Sequence, residues 1–250
     1  MRRTLDAYRV ELSRAGTPRL DGLYFVGSVA LGAYQAGQSD IDVLAVLAEP
    51  PDEAAIAGLA SLHRAMAERG KPDLDAVYAT LDRLRRPEQD ALPTPFAVDG
   101  ILHTDRRCNG LNAVLRQCLV EHGLVLFGPP VAALGIAADR DAERYVRDNL
   151  GTYWRPWIEA AAGTIAARRP DGDVDAAALS TGALGVARIA ATIETGAIVS
   201  KSAAGHWALE RFPGWDDVLA QREGRVARAG LDGGERVLAF MRLVVDRYAA

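Results

Sequence analysis

The chain has 250 residues, of which 49% are apolar and 25% charged, with 24 glycines and 12 prolines. That length accommodates one large domain or two small ones, each able to bury a core, and the composition excludes a disordered chain and a disulfide scaffold. A formal charge of -4 and a pI near 5.6 lack the basic footprint of a nucleic-acid binder and favour a cationic small-molecule partner, while no apolar run approaches the roughly 18 residues of a membrane span.

From Thr4 to Ala15 apolar and charged residues mix at helical spacing until Gly16 and Pro18 break the pattern, which predicts a first helix. Leu23, Tyr24, Phe25 and Val26 form a short apolar run ending at Gly27, as in a buried strand. Val29 to Tyr34 is read as a short helix, "QAGQSD" as a turn and "IDVLAVL" as a second strand, stopped by Pro50 and Pro51, which cannot donate to a sheet ladder. In "PDEAAIAGLASLHRAMAERG" the acids come first, Arg64 and Arg69 late and Gly70 last, the charge order and stop signal of a helix. "LDAVYATLDRL" predicts a third strand from its β-branched and aromatic residues.

Residues 85–110 are poor in periodicity and rich in turn residues. "LNAVLRQCLVEHG" then predicts a helix ending on Gly123, "LVLFGPP" a brief apolar link, and alanine-rich helical segments run on to the C-terminus around a polar loop at 168–175. The expected fold is α+β: an α/β domain with a small mixed sheet over residues 1–132, then an all-helical domain over 133–250, without internal repeats. Cys108 and Cys118 show no CxxC or paired-histidine spacing, and the N-terminal residues lack a secretory signal, so both are read as ordinary thiols of a cytoplasmic protein.

Chemistry concentrates at Gly27–Leu47, "GSVALGAYQAGQSDIDVLAVL". Successive strand residues point to opposite faces, so Asp40 and Asp42 project together while Ile41 enters the core. Like charges so close repel unless one takes a proton or a cation lies between them. Magnesium, shared among carboxylates, waters and phosphate oxygens, meets that need. Gly27 lets the backbone approach a ligand and the next N–H groups face a phosphate, and the hydroxyls of Ser28 and Ser39 can donate to phosphate oxygens. Strand, GS turn and DxD strand together predict a triphosphate–metal site. Asp75, opening the third strand, would join the pair as metal ligand or as base if the strands lie side by side. Asp73 is the competitor; Asp75 is preferred because the apolar strand starts directly after it.

These residues resemble the nucleotidyltransferase signature of the polymerase-beta type, GS followed by DxD at the next strand. "LVEHGLVLFGPP" and, in the helical half, "ARIAATIETGAIVSKSAAGHWALERFPG" are similar to the aminoglycoside (3'')(9) adenylyltransferases. The resemblance implies a nucleotidyltransferase domain followed by a helical domain, and transfer of AMP from MgATP to a hydroxyl of an aminocyclitol such as streptomycin or spectinomycin, in a cleft between domains, with release of pyrophosphate. It implies triphosphate binding by Gly27, Ser28 and Ser39, magnesium held by Asp40, Asp42 and Asp75, Asp75 as catalytic base, and Lys201 on the ATP phosphates.

The antibiotic-modifying enzymes have glutamate where this chain has Asp75. They also carry a tryptophan with acids before the helix equivalent to "LSTGALGVARIAATIETG", where "DVDAAALSTG" supplies acid and no aromatic. A protein-modifying nucleotidyltransferase and a nucleotide sensor that has lost turnover are the alternatives. His103, His122 and His206 show no metal spacing, and Trp154, Trp157, Trp207 and Trp215 are assigned to helical packing, with Trp154 and Trp157 also able to face a substrate.

Overall fold

The computed structural model describes residues 2–137, 141–166, 176–212, 219 and 231–249. The chain divides into two compact units, Met1–Arg140 and Asp141–Ala250. The division lies beyond the 132/133 boundary read from the sequence, because the turn after the strand Leu124–Phe127 stays with the first unit: Leu134 is buried among Tyr24, Leu84 and Leu119, and its carbonyl accepts from Arg85 Nε at 2.8 Å.

The first unit runs α1 (Arg2–Arg14), β1 (Leu20–Phe25), the single turn α2 (Gly27–Ala30), β2 (Ile41–Leu47), α3 (Glu53–Glu68), β3 (Leu74–Thr80), the single turn α4 (Leu81–Leu84), β4 (Phe96–Val98), β5 (Ile101–His103), α5 (Ala113–His122) and β6 (Leu124–Phe127). The strands form one sheet in the order β5-β4-β3-β2-β1-β6. Only β2 and β3 pair in parallel, because α3 carries the chain back between them; the other neighbours are antiparallel.

Period-two alternation sorts the sheet's two faces. Ile41, Val43, Ala45 and Leu47 of β2 join Tyr8 and Leu12 of α1 and Leu59, Leu62 and Met66 of α3 in one core. Leu44 and Val46 join Val77 and Ala79 of β3 and Leu119 of α5 in the other. Gly58 lets α3 approach the end of α1, since a Cβ there would lie 2.0 Å from the Ala15 carbonyl oxygen. Asp52 caps α3 by accepting from Ala55 N–H at 2.8 Å.

Several local expectations are corrected. The third strand stops at Thr80, whose side chain caps the turn Leu81–Leu84 by accepting from Arg83 N–H at 3.2 Å. The helix expected over Val29–Tyr34 is the earlier turn Gly27–Ala30. "LVLFGPP" contains β6, which pairs antiparallel with β1. The aperiodic stretch hides the β4–β5 hairpin, whose strands of three residues each are too short to show alternation.

The second unit contains α6 (Ala142–Asn149), a π-helical turn (Leu150–Trp154), α7 (Arg155–Ala166), α8 (Ala176–Thr195), α9 (Lys201–Leu209) and α10 (Leu231–Tyr248). Small residues let α8 sit at its centre: Ala183, Ala187, Ala190 and Ala191 are buried, as are Met241, Val244 and Val245 of α10. Gly185 and Gly182 receive the rings of Trp154 and Trp157, each ring within 3 Å of where a Cβ would stand. Those two tryptophans therefore serve helix packing; Trp215 and the 168–175 loop lie outside the described residues.

Candidate active site

Parallel pairing places Asp42 directly beside Asp75. Ile41 N–H donates to the Asp73 carbonyl at 2.9 Å one step earlier, so Asp40 and Asp73 flank each other at the mouths of β2 and β3. By alternation the side chains of Asp40, Asp42, Asp73 and Asp75 share one face, the one that carries Leu44, Val46, Val77 and Ala79 deeper in the sheet. The aspartates stand where the apolar cover of that face ends.

The GS turn closes on this grid from β1. Val26 N–H donates to the Asp42 carbonyl at 3.1 Å, and Gly27 follows at φ 56°, with its missing Cβ leaving the space in which Asp42 Oδ2 sits, only 2.1 Å from that position. No other residue type admits both the backbone angle and the contact. Ser28 Oγ is buried without a hydrogen-bond partner, and as part of the first turn of α2 its N–H group has no intrahelical acceptor. Ser39 is buried, and its Oγ accepts from Gln35 N–H at 3.0 Å, which shapes the turn ahead of Asp40.

On the other side, the β4–β5 turn delivers Asp99, whose N–H donates to Asp75 Oδ1 at 3.3 Å. Asp99 and Gly100 have φ values of 51° and 75°, the pair of positive angles a tight hairpin turn requires and an Asp-Gly sequence supplies. The turn is docked on α3: a Cβ at Gly100 would lie 2.5 Å from Ala67 Cβ. Burial, then the charges of Asp42 and Asp40, push the Asp75 carboxyl up to about 7, opposed by the Asp99 N–H. Lys71, just before β3, pairs with Asp73 and stands 3.5 Å from Asp40 Oδ1. Asp99 and Lys71 were absent from the sequence reading; the Asp-Gly pair between two apolar triplets was the available signal for the first, and nothing local marks the second.

The residues suit a magnesium ion in donor type, since every side-chain donor of the grid is a carboxylate oxygen, the class that ion takes. Among the described residues, however, no three His, Cys, Asp or Glu side chains are placed to hold a metal as they stand. The fit is to an ion held by fewer carboxylates and completed by waters and phosphate oxygens.

Lys201 belongs to the second unit, where it opens α9 behind the cap Ser200, whose Oγ accepts from Ala203 N–H at 3.1 Å. A cation at a helix N-terminus opposes the helix dipole, and a bound anion offsets that cost. The remaining histidines are ordinary: His103 lies 5.0 Å from the Phe96 ring, His122 stands 3.7 Å from Glu121, and His206 is on the exposed side of α9. Cys108 and Cys118 are buried free thiols.

Residues 168–230 match the family model of the aminoglycoside adenylyltransferase C-terminal domain. The fold is similar to that of a spectinomycin adenyltransferase, AAD(9) from Enterococcus faecialis, solved with ATP and spectinomycin: the TM-score is 0.70 at 14% identity, covering 99% of each chain. A toxin-antitoxin structure with AMP-PNP aligns with 61% of this chain and 94% of its own at 22% identity, but at a TM-score of 0.31 it carries no argument. No curated protein matches the sequence. Among the described residues no helix is long and apolar enough to cross a membrane.

Proposed function

We propose that this protein is a cytoplasmic, ATP-dependent adenylyltransferase that moves AMP to a hydroxyl of a small cationic aminocyclitol, of the streptomycin or spectinomycin type, and releases pyrophosphate. The observation that carries the reading is the register pair Asp42–Asp75 against the Gly27 turn. In this reading Asp40 and Asp42 would hold magnesium, with Asp75 beside them as the base, and the ion would supply positive charge against the triphosphate. Gly27 and Ser28 receive the triphosphate through their backbone N–H groups and the Ser28 hydroxyl, Ser39 supports the same turn, and Lys201 supplies an ammonium to the phosphates.

Asp75 takes the acceptor's hydroxyl proton as the new bond from that oxygen to the α-phosphorus forms. The bond from phosphorus to the bridging oxygen breaks, and the electron pair leaves with pyrophosphate. Asp75 lies beside Asp42 in the register and accepts the Asp99 N–H, which fixes its carboxylate for that proton transfer. The acidic site and the chain's charge of -4 favour a cationic acceptor over a nucleic acid.

The test is magnesium-dependent pyrophosphate release from ATP with a panel of streptomycin, spectinomycin and related aminocyclitols, followed by mass analysis. An acceptor heavier by one AMP establishes the reaction and names the substrate; ATP binding without transfer to any of them removes it. Asp75→Ala separates an enzyme from a sensor. The enzyme loses about 100-fold or more in turnover and keeps ATP affinity, whereas a sensor has no turnover to lose.

A further inference from the structure

We propose that Lys71 is a tethered counter-ion that competes with the divalent metal for Asp40, so that the nucleotide-free protein binds metal weakly and the metal enters with the triphosphate. The inference rests on the adenylyl-transfer reading of this site. Four aspartates on one face of two adjacent strands form two ranks, Asp42 with Asp75 inside and Asp40 with Asp73 at the strand mouths. Lys71 reaches only the outer rank: its ammonium is hydrogen-bonded to Asp73 and stands 3.5 Å from Asp40 Oδ1. An ammonium 3.5 Å from Asp40 Oδ1 lowers the negative potential that a divalent ion would meet there. With Lys71 beside Asp40, one member of the DxD pair already has a positive partner.

The arrangement is asymmetric in a way that suits exchange. The lysine side chain is 63% exposed and Asp73 is 21% exposed, so the ammonium can withdraw from Asp40 and keep Asp73, without being left in an apolar place. A triphosphate arriving with its metal offers the ammonium an anionic partner as it leaves Asp40; a bare metal ion must displace the ammonium without that compensation. Lys71 is a positioning residue in this account: it acts through Asp40.

The experiment is titration of the nucleotide-free protein with Mn2+, free ion being read by electron paramagnetic resonance. Removing one positive charge about 4 Å from the ion's ligand tightens binding by about tenfold, so Lys71→Gln lowers the Mn2+ Kd by that factor and Lys71→Met does the same with the stem retained. Lys71→Arg restores weak binding, and Arg69→Gln, a charge that pairs with Glu11 instead, leaves the Kd unchanged. An unchanged or weaker Kd in both neutral variants overturns the proposal, as does equal tightening by Arg69→Gln. The two readings fail differently: if the native protein binds no Mn2+ even with ATP present, the adenylyl-transfer site itself is wrong, whereas Mn2+ binding with ATP and no effect of Lys71 removes only the counter-ion.

Discussion

Gly27 and Gly32 provide a matched pair of substitutions. Both have left-handed backbone angles, φ 56° and 64°, so alanine at either position costs about 1 kcal/mol in backbone strain. They differ in what the new methyl group meets. At Gly32 nothing lies within 4 Å, whereas at Gly27 the methyl would stand 2.1 Å from Asp42 Oδ2 and 2.7 Å from its Cγ. Relief of that contact requires the carboxylate to retreat by about 1 Å, and misplacement on that scale costs on the order of 100-fold in rate, or about 2.7 kcal/mol of barrier. Steady-state pyrophosphate release and urea unfolding, measured on both variants, separate the effects. Gly27→Ala is expected to lose about 100-fold in kcat with a stability loss similar to that of Gly32→Ala, which keeps its turnover. Native-like turnover in Gly27→Ala, or an equal loss in both variants, would refute the assignment of the GS turn to the placement of Asp42.

Further outcomes follow from the same geometry. Asp42→Asn abolishes metal-dependent transfer without lowering the urea midpoint, because the lost charge is one that presses on Asp75; a lower midpoint would make Asp42 a structural residue. His63, fully buried with its Nε2 on the Tyr78 hydroxyl at 2.8 Å, has its pKa pushed down by burial from 6.5 to about 4. The unfolded chain therefore takes up this proton first: stability is full above pH 6.5, falls as pH drops towards 4 and levels off below, by on the order of 3 kcal/mol. Asp75, raised to about 7, acts with the opposite sign over the same window, so the His63 contribution is read as the difference between the native protein and His63→Gln in urea unfolding, the native protein losing stability relative to the variant as pH falls from 6.5 to about 4. Arg116, with 2% of its side chain exposed, makes two bonds of 2.7 and 2.6 Å to Asp90 and one of 2.8 Å to the Leu84 carbonyl. Arg116→Met leaves Asp90 with Arg83 alone, 3.6 Å away, and costs about 3 kcal/mol by the same assay; a loss below about 1 kcal/mol would place the pair in the class of surface bridges.

Much of this protein is legible residue by residue. The alternation of "IDVLAVL" already assigns Asp40 and Asp42 to one face and Ile41, Val43 and Ala45 to the other, because a strand's side-chain period is local and independent of its partners. The capped helix at Glu53–Glu68 and the helical second half announce themselves for the same reason. Short elements escape: β4 and β5 are three residues each, less than two periods, and β6 reads as a link because pairing with β1 makes it a strand. The choice between Asp73 and Asp75 as the neighbour of Asp42 is a question of register, decided by how α3 and its core seat β3 against β2. Likewise Asp99 reaches Asp75, and Lys71 reaches Asp40, only because a hairpin turn and a loop are brought to the same sheet edge. Residue types and local periods specify which groups can do the chemistry; distances between groups far apart in the chain depend on packing of the whole core, which no short window of residues contains.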